Sequence, residues 1–449
     1  MKKFFLSPDI LYRKETFGAV VFNKRLRQYS IFDTMAYSLL SIINENKGIA
    51  VEDLPEYVED ELVPDVEKLL DEWLLCGILG NEFYSTTYLE RPSVCDKICK
   101  DIISFPLEVA INPTFICNQK CLFCSNEALL NKNIKELTKD DAGEFASRLF
   151  NLGVFKTYFV GGEPFLFKPL KFFIESLLAY NFDIGITTNG NFDNKDDLLF
   201  YAENKVFLSF SVQSHIESIH NSLTKNSLSF QRAVDNIKFL TNKRLPVDIS
   251  IVLSSENQNN IEQTIDFFCK LGVKSITLLY PFDIGGVKKH QNLLISKTEF
   301  FQLAEQLTEV AKLRNVTLKT LGRMRFFYDP KYGPKPIKHN ELFKKYFGSP
   351  GCFLCKKAIV LHPNGDIYPC DFLMFEEKWK LGNIFDPGIV DSWENGVLID
   401  SLRNMRHPEL CSNCKYFQVC QGGCPATTYL ATGKLSYPAA DCPMLKEAL

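Results

Sequence analysis

The chain has 449 residues, of which 46% are apolar and 23% are charged, and its formal net charge at pH 7 is -3. This length allows two or three domains with separate cores, and the balanced charge provides no basic surface of the kind that nucleic acid requires. No apolar run reaches the roughly twenty residues of a membrane span, and the first six residues are too short for an export signal, so we expect a cytoplasmic protein without nucleic-acid or membrane partners.

Residues 1–90 are predicted to form a small domain with a hairpin and three helices. Apolar runs predict strands at Gly18–Asn23 and 28–31, joined by a polar turn. Asp33 can cap the first helix. Two further helices are expected near 51–57 and over 66–74, where apolar residues recur at helical spacing. A hairpin beside three helices is a winged-helix-like arrangement.

The third of these helices has an acidic sequence, Asp-Val-Glu-Lys-Leu-Leu-Asp-Glu at 65–72, which argues against DNA as the ligand. The layout resembles the PqqD-like precursor-recognition domain of enzymes that modify ribosomally synthesised peptides. That resemblance implies a leader peptide that adds as an extra strand on the hairpin edge and packs against the third helix. The alternative is a structural cap on the catalytic domain.

Six apolar strand-like runs alternate with helical segments over residues 105–282. The predicted strands are 107–111, 157–160, 183–187, 206–211, 247–253 and 275–280. Repeated βα units imply a parallel sheet with helices outside, so the fold class is α/β. Six units predict a partial (βα)6 TIM-like barrel, in which the chemistry lies at the C-terminal ends of the strands.

Three cysteines with the spacing C-x3-C-x2-C, Cys117, Cys121 and Cys124, follow the first of these strands. In a reducing cytoplasm they favour metal binding over disulfides. Three thiolates on one loop can ligate three irons of a 4Fe-4S cube and leave the fourth iron open. A structural zinc site normally takes four ligands, and no nearby His or Cys supplies the fourth, so zinc is the weaker interpretation.

This loop, with Phe123 before its last cysteine, resembles that of the radical S-adenosylmethionine (radical SAM) enzymes, whose open iron chelates the amino and carboxylate groups of SAM. The resemblance extends to the next strand ends. There it implies SAM contacts from Gly161, Gly162, Glu163 and Pro164, from Thr188 and Asn189, and from Ser211. In the family, the Gly-Gly-Glu-Pro element holds the SAM ammonium.

Two stretches depart from the family pattern. Gln213 replaces a carboxylate, and we assign it no family role. His220-Asn221 and Thr224-Lys225 stand where relatives often carry His-Asp and then Arg-Gly. Any contact that the family makes through that arginine is therefore not predicted for this chain.

Eight of the fifteen cysteines lie in residues 349–449, and their spacing resembles that of the SPASM domain, which binds two auxiliary 4Fe-4S clusters. By family analogy the nearer cluster is held by Cys352, Cys355, Cys370 and Cys424, and the farther one by Cys411, Cys414, Cys420 and Cys442. Eight thiolates fill two cubes at four each, which favours electron transfer over capture of a substrate at an open iron. The alternative is a pair of zinc ribbons.

Two further features precede or lie within this domain. Residues 283–348 are predicted to form a bridging region with one helix at Lys297–Leu313. Asp371, directly after Cys370, matches the proposed catalytic base of the sulfatase-maturing relatives, and could accept a proton from a substrate radical. An Asp beside a metal ligand is more often a supporting or solvent-facing group.

Together these features predict an anaerobic radical SAM/SPASM maturase that uses SAM and three 4Fe-4S clusters and takes electrons from a donor such as flavodoxin or ferredoxin. It would install an intramolecular crosslink, carbon-carbon by preference and thioether as the alternative, in a ribosomally made precursor peptide bound through its leader. Two other functions stay open. One is a sulfatase-type maturase that oxidises Cys or Ser in a protein substrate, and the other is a non-catalytic zinc-binding peptide carrier.

Overall fold

The computed structural model describes residues 2–94, 102–321, 354–405, 409–414, 423–435 and 442. The N-terminal part contains seven strands: β1 (Lys3–Leu6), β2 (Ile10–Glu15), β3 (Gly18–Asn23), β4 (Gln28–Phe32), β5 (Ile49–Ala50), β6 (Leu79–Gly80) and β7 (Glu90–Arg91). Its helices are α1 (Thr34–Glu45), capped by Asp33, a 3-10 segment at Val51–Glu56, and α2 (Val63–Leu75). The predicted hairpin and helices are confirmed, whereas β1 and β2 were not predicted.

The sheet that contains the hairpin has the strand order β4-β3-β2-β7 and is covered on both faces. Val21 and Phe32 face a core built with α1 and α2. Val20 and Phe22 face the opposite way, into a second apolar cluster that includes Phe155 of the barrel. Because both faces are buried, β3 is apolar at successive positions, without the alternation of a half-exposed strand.

The barrel strands are β8 (Glu108–Ile111), β9 (Lys156–Phe159), β10 (Asp183–Thr188), β11 (Phe207–Ser211), β12 (Asp248–Val252), β13 (Ser275–Leu279) and β14 (Thr317–Leu321). The helices that accompany them are α3 (Ala142–Asn151), α4 (Leu170–Ala179), α5 (Lys195–Glu203), α6 (Glu217–Thr224), α7 (Ser229–Asn242), α8 (Ile261–Lys270), α9 (Gly286–Lys289) and α10 (Lys297–Leu313).

These seven strands run parallel in the order β14-β13-β12-β11-β10-β9-β8, which confirms the partial TIM-like barrel. The six predicted strands are present. The seventh, β14, follows the predicted helix α10 and lies inside the segment that we expected to be only a bridge.

The C-terminal part extends the same sheet. It contains β15 (Ala358–Leu361), β16 (Asp366–Tyr368), β17 (Gly382–Asn383), α11 (Ile389–Asn395), α12 (Val397–Arg403), α13 (Glu409–Ser412) and α14 (Pro425–Thr432). β15 pairs parallel with β8, so the first barrel strand lies between β9 and a strand that follows it by about 250 residues. A tight turn precedes β16, with Gly365 at φ +85°. None of the described helices is long and apolar enough to cross a membrane.

The N-terminal sheet covers the end of the barrel where the strands begin. Arg13 is fully buried and donates to the carbonyl oxygens of Phe105 (2.7 Å) and Gly153 (2.9 Å), in the segments that lead into β8 and β9. The hydroxyl of Tyr29 donates to Glu108 at the start of β8 (2.9 Å). The chemistry expected at the strand C-terminal ends therefore lies at the opposite end from this domain.

A network of charged side chains fills this end of the barrel. Arg27 of the N-terminal domain pairs with Asp183 at 2.9 Å, and Lys357 pairs with Glu108 at 3.2 Å. Burial by itself would raise the pKa of Glu108, but the positive charges of Lys357 and Lys156 outweigh it and lower that pKa to about 2. The Arg27–Asp183 pair thus holds the interface of the N-terminal domain together with the apolar contacts.

Arg13, which pairs with Glu15 of the same strand (2.6 Å) and bonds to barrel carbonyls, provides a test of this interface. Arg13→Met leaves the buried carboxylate of Glu15 without its charged partner, and should lower the free energy of unfolding by about 3–5 kcal/mol. Lys2→Met, which breaks the half-exposed pair with Asp71, should change it by less than about 1 kcal/mol. Urea unfolding followed by circular dichroism measures both values, and equal shifts would show that the Arg13 contacts do not stabilise the interface.

Candidate active site

The cysteine loop follows the C-terminal end of β8, and its three thiols are partly buried, as is Phe123. Burial raises the pKa of Cys117, raises that of Cys121 well above its usual range, and raises that of Cys124 to about 12. Since iron binds the thiolate, the three charges are costly in this loop unless a cationic group compensates them.

That donor set fits an iron-sulfur cube. Three thiolates from one short loop would each bind a different iron, and the cube supplies the positive charge that the buried loop lacks. Within the described ranges, no three His, Cys, Asp or Glu side chains converge as the ligands of a single ion would.

Hydrogen bonds to α6 and α9 hold the backbone of this loop in place. The amide of Leu122 donates to the carbonyl of Leu223 at the end of α6 (2.9 Å), and the amide of Gly286 in α9 donates to the carbonyl of Cys124 (2.9 Å). The loop is therefore fixed by segments that follow β11 and β13, on the far side of the barrel mouth from β8.

The two glycines after β9 pack directly against the segment that precedes the cysteines. The amides of Gly162 and Glu163 donate to the carbonyls of Thr114 (2.9 Å) and Ile116 (2.8 Å). A Cβ on Gly162 would lie 2.2 Å from the carbonyl oxygen of Ile116, and Gly161 has φ +105°. These positions require glycine because two backbones meet there, before any contact with a ligand is considered.

The carboxylate of Glu163 is fully buried and joins β9 to the end of β10. It accepts hydrogen bonds from the hydroxyl of Thr188 (2.6 Å) and from the amides of Asn189 (2.7 Å) and Phe165 (3.1 Å). Burial raises its pKa to about 7, against the effect of these donors. The next residue, Pro164, begins a short 3-10 turn that the Glu163 side chain caps. Glu163 therefore links the Gly-Gly-Glu-Pro turn after β9 to Thr188 and Asn189 at the end of β10. The SAM contacts of this turn stay a prediction.

Asn189 links the turn after β10 to the cysteine loop. Its side-chain amide donates to the Oδ1 atom of Asn118 (2.8 Å) and approaches the Sγ atom of Cys117 (3.8 Å). Asn118 in turn donates to the carbonyl of Asn191 (2.7 Å). Asn118 was not among the predicted site residues, because an Asn beside a metal-ligating cysteine has no distinctive sequence signal.

Ser211, at the end of β11, is held by Gln213, the residue to which the sequence assigned no role. The Gln213 amide donates to the Ser211 hydroxyl (2.9 Å) and its Oε1 atom accepts from the amide of Val252 (2.8 Å). Its backbone amide donates to Nδ1 of His220 (3.1 Å), whose pKa burial lowers to about 4. Gln213 is completely buried and uncharged. Its hydrogen bonds join β11, β12 and α6 and hold the Ser211 hydroxyl in place.

The second departure from the family pattern also has a structural role. The Oδ1 atom of Asn221 accepts from the amide of Phe230 (3.0 Å), which joins α6 to α7. The hydroxyl of Thr224 lies 2.7 Å from that of Ser229. Lys225 ends α6 in the left-handed conformation, with φ +54°, where the family pattern places glycine. These residues fix the end of the helix that holds the cysteine loop.

The described C-terminal cysteines fall in two groups along the fold. Cys355 and Cys424 are buried in the main core, and Cys370 lies at its edge. The thiol of Cys424 caps α14 by accepting from the amide of Thr427 (3.0 Å).

Cys414 and Cys442 both lie near Cys411. Burial raises the pKa of Cys411, and the negative charges of Cys442 and Cys414 raise it further. This proximity agrees with the predicted farther cluster. Cys420 of this farther cluster and Cys352 of the predicted nearer cluster lie outside the described residues.

Asp371 follows Cys370 in a loop that reaches over the barrel mouth. The ring of its neighbour Phe372 packs edge-on against Phe282 at 5.3 Å, and Phe282 lies three residues after the C-terminal end of β13. The C-terminal domain therefore brings Asp371 to the same end of the barrel as the cysteine loop.

Two protein families match this chain. Residues 111–268 match the radical SAM superfamily, and residues 352–415 match SPASM, an iron-sulfur cluster-binding domain. The chain is 24% identical over 355 residues to a cysteine-type anaerobic sulfatase-maturating enzyme of Clostridium perfringens, covering 71% of this chain and 89% of that protein. It is also 24% identical over 333 residues to the PqqA peptide cyclase of Xanthomonas campestris, covering 71% of this chain and 82% of that protein.

Among solved structures, Streptococcus suis SuiB bound to its precursor peptide SuiA has a TM-score of 0.77 and 21% identity. That likeness covers 98% of this chain and 100% of SuiB. The sulfatase-maturating enzyme anSMEcpe with bound AdoMet has a TM-score of 0.59 and 19% identity, covering 76% of this chain and 95% of that one. At these identities the structures establish the fold.

Gly162→Ala tests whether the contact between strand ends seats the cysteine loop. The added Cβ would collide with the Ile116 carbonyl, so we expect the protein to lose the iron of that loop, about four atoms per chain. Gly143→Ala is the matched control, because a Cβ at this exposed position in α3 meets no atom within 4 Å. Iron analysis after anaerobic reconstitution compares the two, and full iron loading of Gly162→Ala would contradict the prediction.

The cysteine loop, the glycine turn and the strand ends form one hydrogen-bonded unit at the mouth of a parallel partial barrel. The two family matches cover the segments that contain the predicted SAM-binding and auxiliary cysteines up to Cys414. The family inferred from the sequence is therefore confirmed, and the chain is a radical SAM enzyme with a SPASM domain.

Proposed function

We propose that this enzyme is a maturase that installs an intramolecular crosslink in a ribosomally synthesised precursor peptide, carbon-carbon by preference and thioether as the alternative. The main support is the shared architecture with SuiB, whose structure includes a bound precursor peptide and whose likeness covers 98% of this chain. The likeness to the sulfatase-maturating structures covers 76%.

The protein's own residues supply the binding and shielding that such chemistry needs. When bound, SAM and a reduced cluster at Cys117, Cys121 and Cys124 would supply a 5′-deoxyadenosyl radical able to take a hydrogen atom from the peptide. The buried charges at Glu108 and Asp183 and the N-terminal sheet fill the opposite end of the barrel. Peptide access is therefore expected at the mouth, where water has to be excluded from the reactive intermediate.

Asp371 and the C-terminal cysteines are assigned to the later steps of the same reaction. The loop of Asp371 lies against Phe282 at the mouth, which supports a role for this carboxylate as the base that takes a proton from the peptide. The eight C-terminal cysteines are proposed to hold two auxiliary clusters, for three clusters in all. We expect flavodoxin or ferredoxin as the electron donor, in the cytoplasm.

The outer edge of β4 is the proposed site of the leader. In the sheet order β4-β3-β2-β7, β7 covers the opposite edge, and Ser30 of β4 is exposed. Phe32 of β4 stacks on Trp73 of α2 with ring centroids 4.7 Å apart. Leu69, one turn before Trp73 on α2, is only half-buried. An extended peptide added to β4 could pair with the edge and cover this apolar stripe.

A second candidate function follows from the sulfatase-maturating relatives. Deletion of residues 1–90 is not a clean test between the two functions, because it would expose the barrel face of Leu107 and Phe155. Point substitutions on α2 distinguish them better, since a sulfatase-type maturase does not need a leader site.

Cys121→Ala tests the catalytic assignment. We expect 5′-deoxyadenosine formation from SAM and dithionite to fall to background, and the iron content to fall from about twelve to about eight atoms per chain. Cys269→Ala, which removes a partly buried thiol in α8, should leave both values unchanged. Continued SAM cleavage by Cys121→Ala would exclude this loop as the catalytic centre, and a colourless zinc protein would favour the peptide carrier.

Leu69→Glu tests the leader site. A carboxylate on the apolar stripe of α2 should weaken binding of a fluorescent synthetic leader by at least about tenfold, or about 1.4 kcal/mol, without affecting SAM cleavage. The leader would be taken from a precursor gene adjacent to the gene of this enzyme. Leu75→Glu is the control, since this side chain is 87% exposed at the end of α2. Equal affinities in both variants and the parent would rule out binding at this stripe.

A further inference from the structure

Arg403, the last residue of α12, is fixed in one orientation by three contacts. Its Nε atom donates to the carbonyl of Cys355 (2.8 Å) and its Nη1 atom donates to the carbonyl of Trp393 (2.6 Å). The guanidinium carbon lies 4.1 Å from the centre of the Trp393 ring, and that ring is buried. The plane and position of the charged group are therefore set by the fold.

The remaining arm of this guanidinium has no assigned role. Within the part of the chain that the structure describes, its buried Nη2 atom has no hydrogen-bond partner and Arg403 forms no ion pair. A buried charged donor without a partner is costly, because it has lost its hydrogen bonds to water and gained none in exchange. Burial lowers the pKa of Arg403 to about 10, and the nearby charges of Cys355, Asp400 and Glu394 act in the opposite direction.

Cys355 is itself held in an unusual backbone conformation. It is completely buried and has φ +50°, in the left-handed region that few residues other than glycine adopt. The hydrogen bond from Arg403 to its carbonyl helps to keep it there. Arg403 thus holds the backbone of Cys355, a proposed cluster ligand, and also keeps its own Nη2 donor buried beside that residue.

A cube with four thiolate ligands carries a net negative charge, which increases by one on reduction. A nearby positive donor stabilises the reduced form more than the oxidised form and so raises the reduction potential. We propose that Arg403 is a positioning residue that donates through Nη2 to the sulfur of the auxiliary cluster held by Cys355, and makes that cluster a better electron acceptor. This inference rests on the proposed function.

Formation of the proposed crosslink releases one electron, which needs an acceptor. After hydrogen abstraction, the peptide radical forms the new bond, releases one proton to a base and loses one electron. When bound, the auxiliary cluster would accept that electron and pass from the 2+ to the 1+ state. A higher potential at this cluster makes the transfer more favourable.

The test is an anaerobic redox titration, followed by electron paramagnetic resonance, of the full chain with Cys117, Cys121 and Cys124 replaced by Ala. In that background only auxiliary clusters can give a signal. Arg403→Met should make reduction of one cluster about tenfold less favourable, a fall of 59 mV for one electron, with Arg403→Lys between the two. The second cluster should not change.

Arg148→Met is the matched control. Arg148 lies in α3, and its guanidinium donates to the carbonyls of Ile384 and Asp386 in the C-terminal part. It bonds to no cysteine among the described residues. Its removal should leave both potentials unchanged.

If Arg403→Met keeps the iron content of the parent and both reduction potentials are unchanged, the role proposed for Arg403 is wrong, whereas the auxiliary-cluster assignment is unaffected. If that variant does not retain its iron, an unchanged potential in Arg403→Lys overturns it equally. Absence of any 4Fe-4S signal in the parent background would overturn the auxiliary-cluster assignment and this inference together.

Discussion

The structure of the active site depends on the close approach of two backbones at the mouth of the barrel. Gly162 can approach the Ile116 carbonyl only without a side chain, and this contact brings the buried carboxylate of Glu163 to the end of β10. Asn189 then reaches the cysteine loop. The motifs with predicted SAM contacts thus form one connected unit, in which a displacement of any strand end would move the thiols of the loop.

The sequence predicted what depends on local order and missed what depends on distant contacts. The spacing of Cys117 to Cys124 and the βα repeats located the loop and six strands, because these patterns are complete within short segments. β14 was missed because it is a short strand with alternating polar residues beyond the sixth repeat. The pairing of β15 with β8, and the roles of Gln213 and Arg403, arise from contacts between remote segments that no local pattern specifies.

The N-terminal domain is part of the barrel structure as well as a proposed binding module. Its central sheet has one face in its own core and the other on the barrel, and Arg13 and Arg27 bond to barrel groups across the interface. Both interpretations of this domain from the sequence, a structural cap and a recognition domain, are therefore compatible. The cap is the role with direct contacts. The outer edge of β4, with which no other described strand pairs, is the feature that supports recognition.

The location of β4 has a consequence for substrate selection. Tyr29 of β4 bonds to the first residue of β8, whereas the cysteine loop follows the last. A peptide anchored on β4 therefore has to extend along the full height of the barrel before it can enter the mouth, and each extended residue covers only about 3.3–3.6 Å. The number of residues between the leader and the modified site then determines which side chains can reach the radical, so that spacer length would contribute to specificity independently of side-chain chemistry.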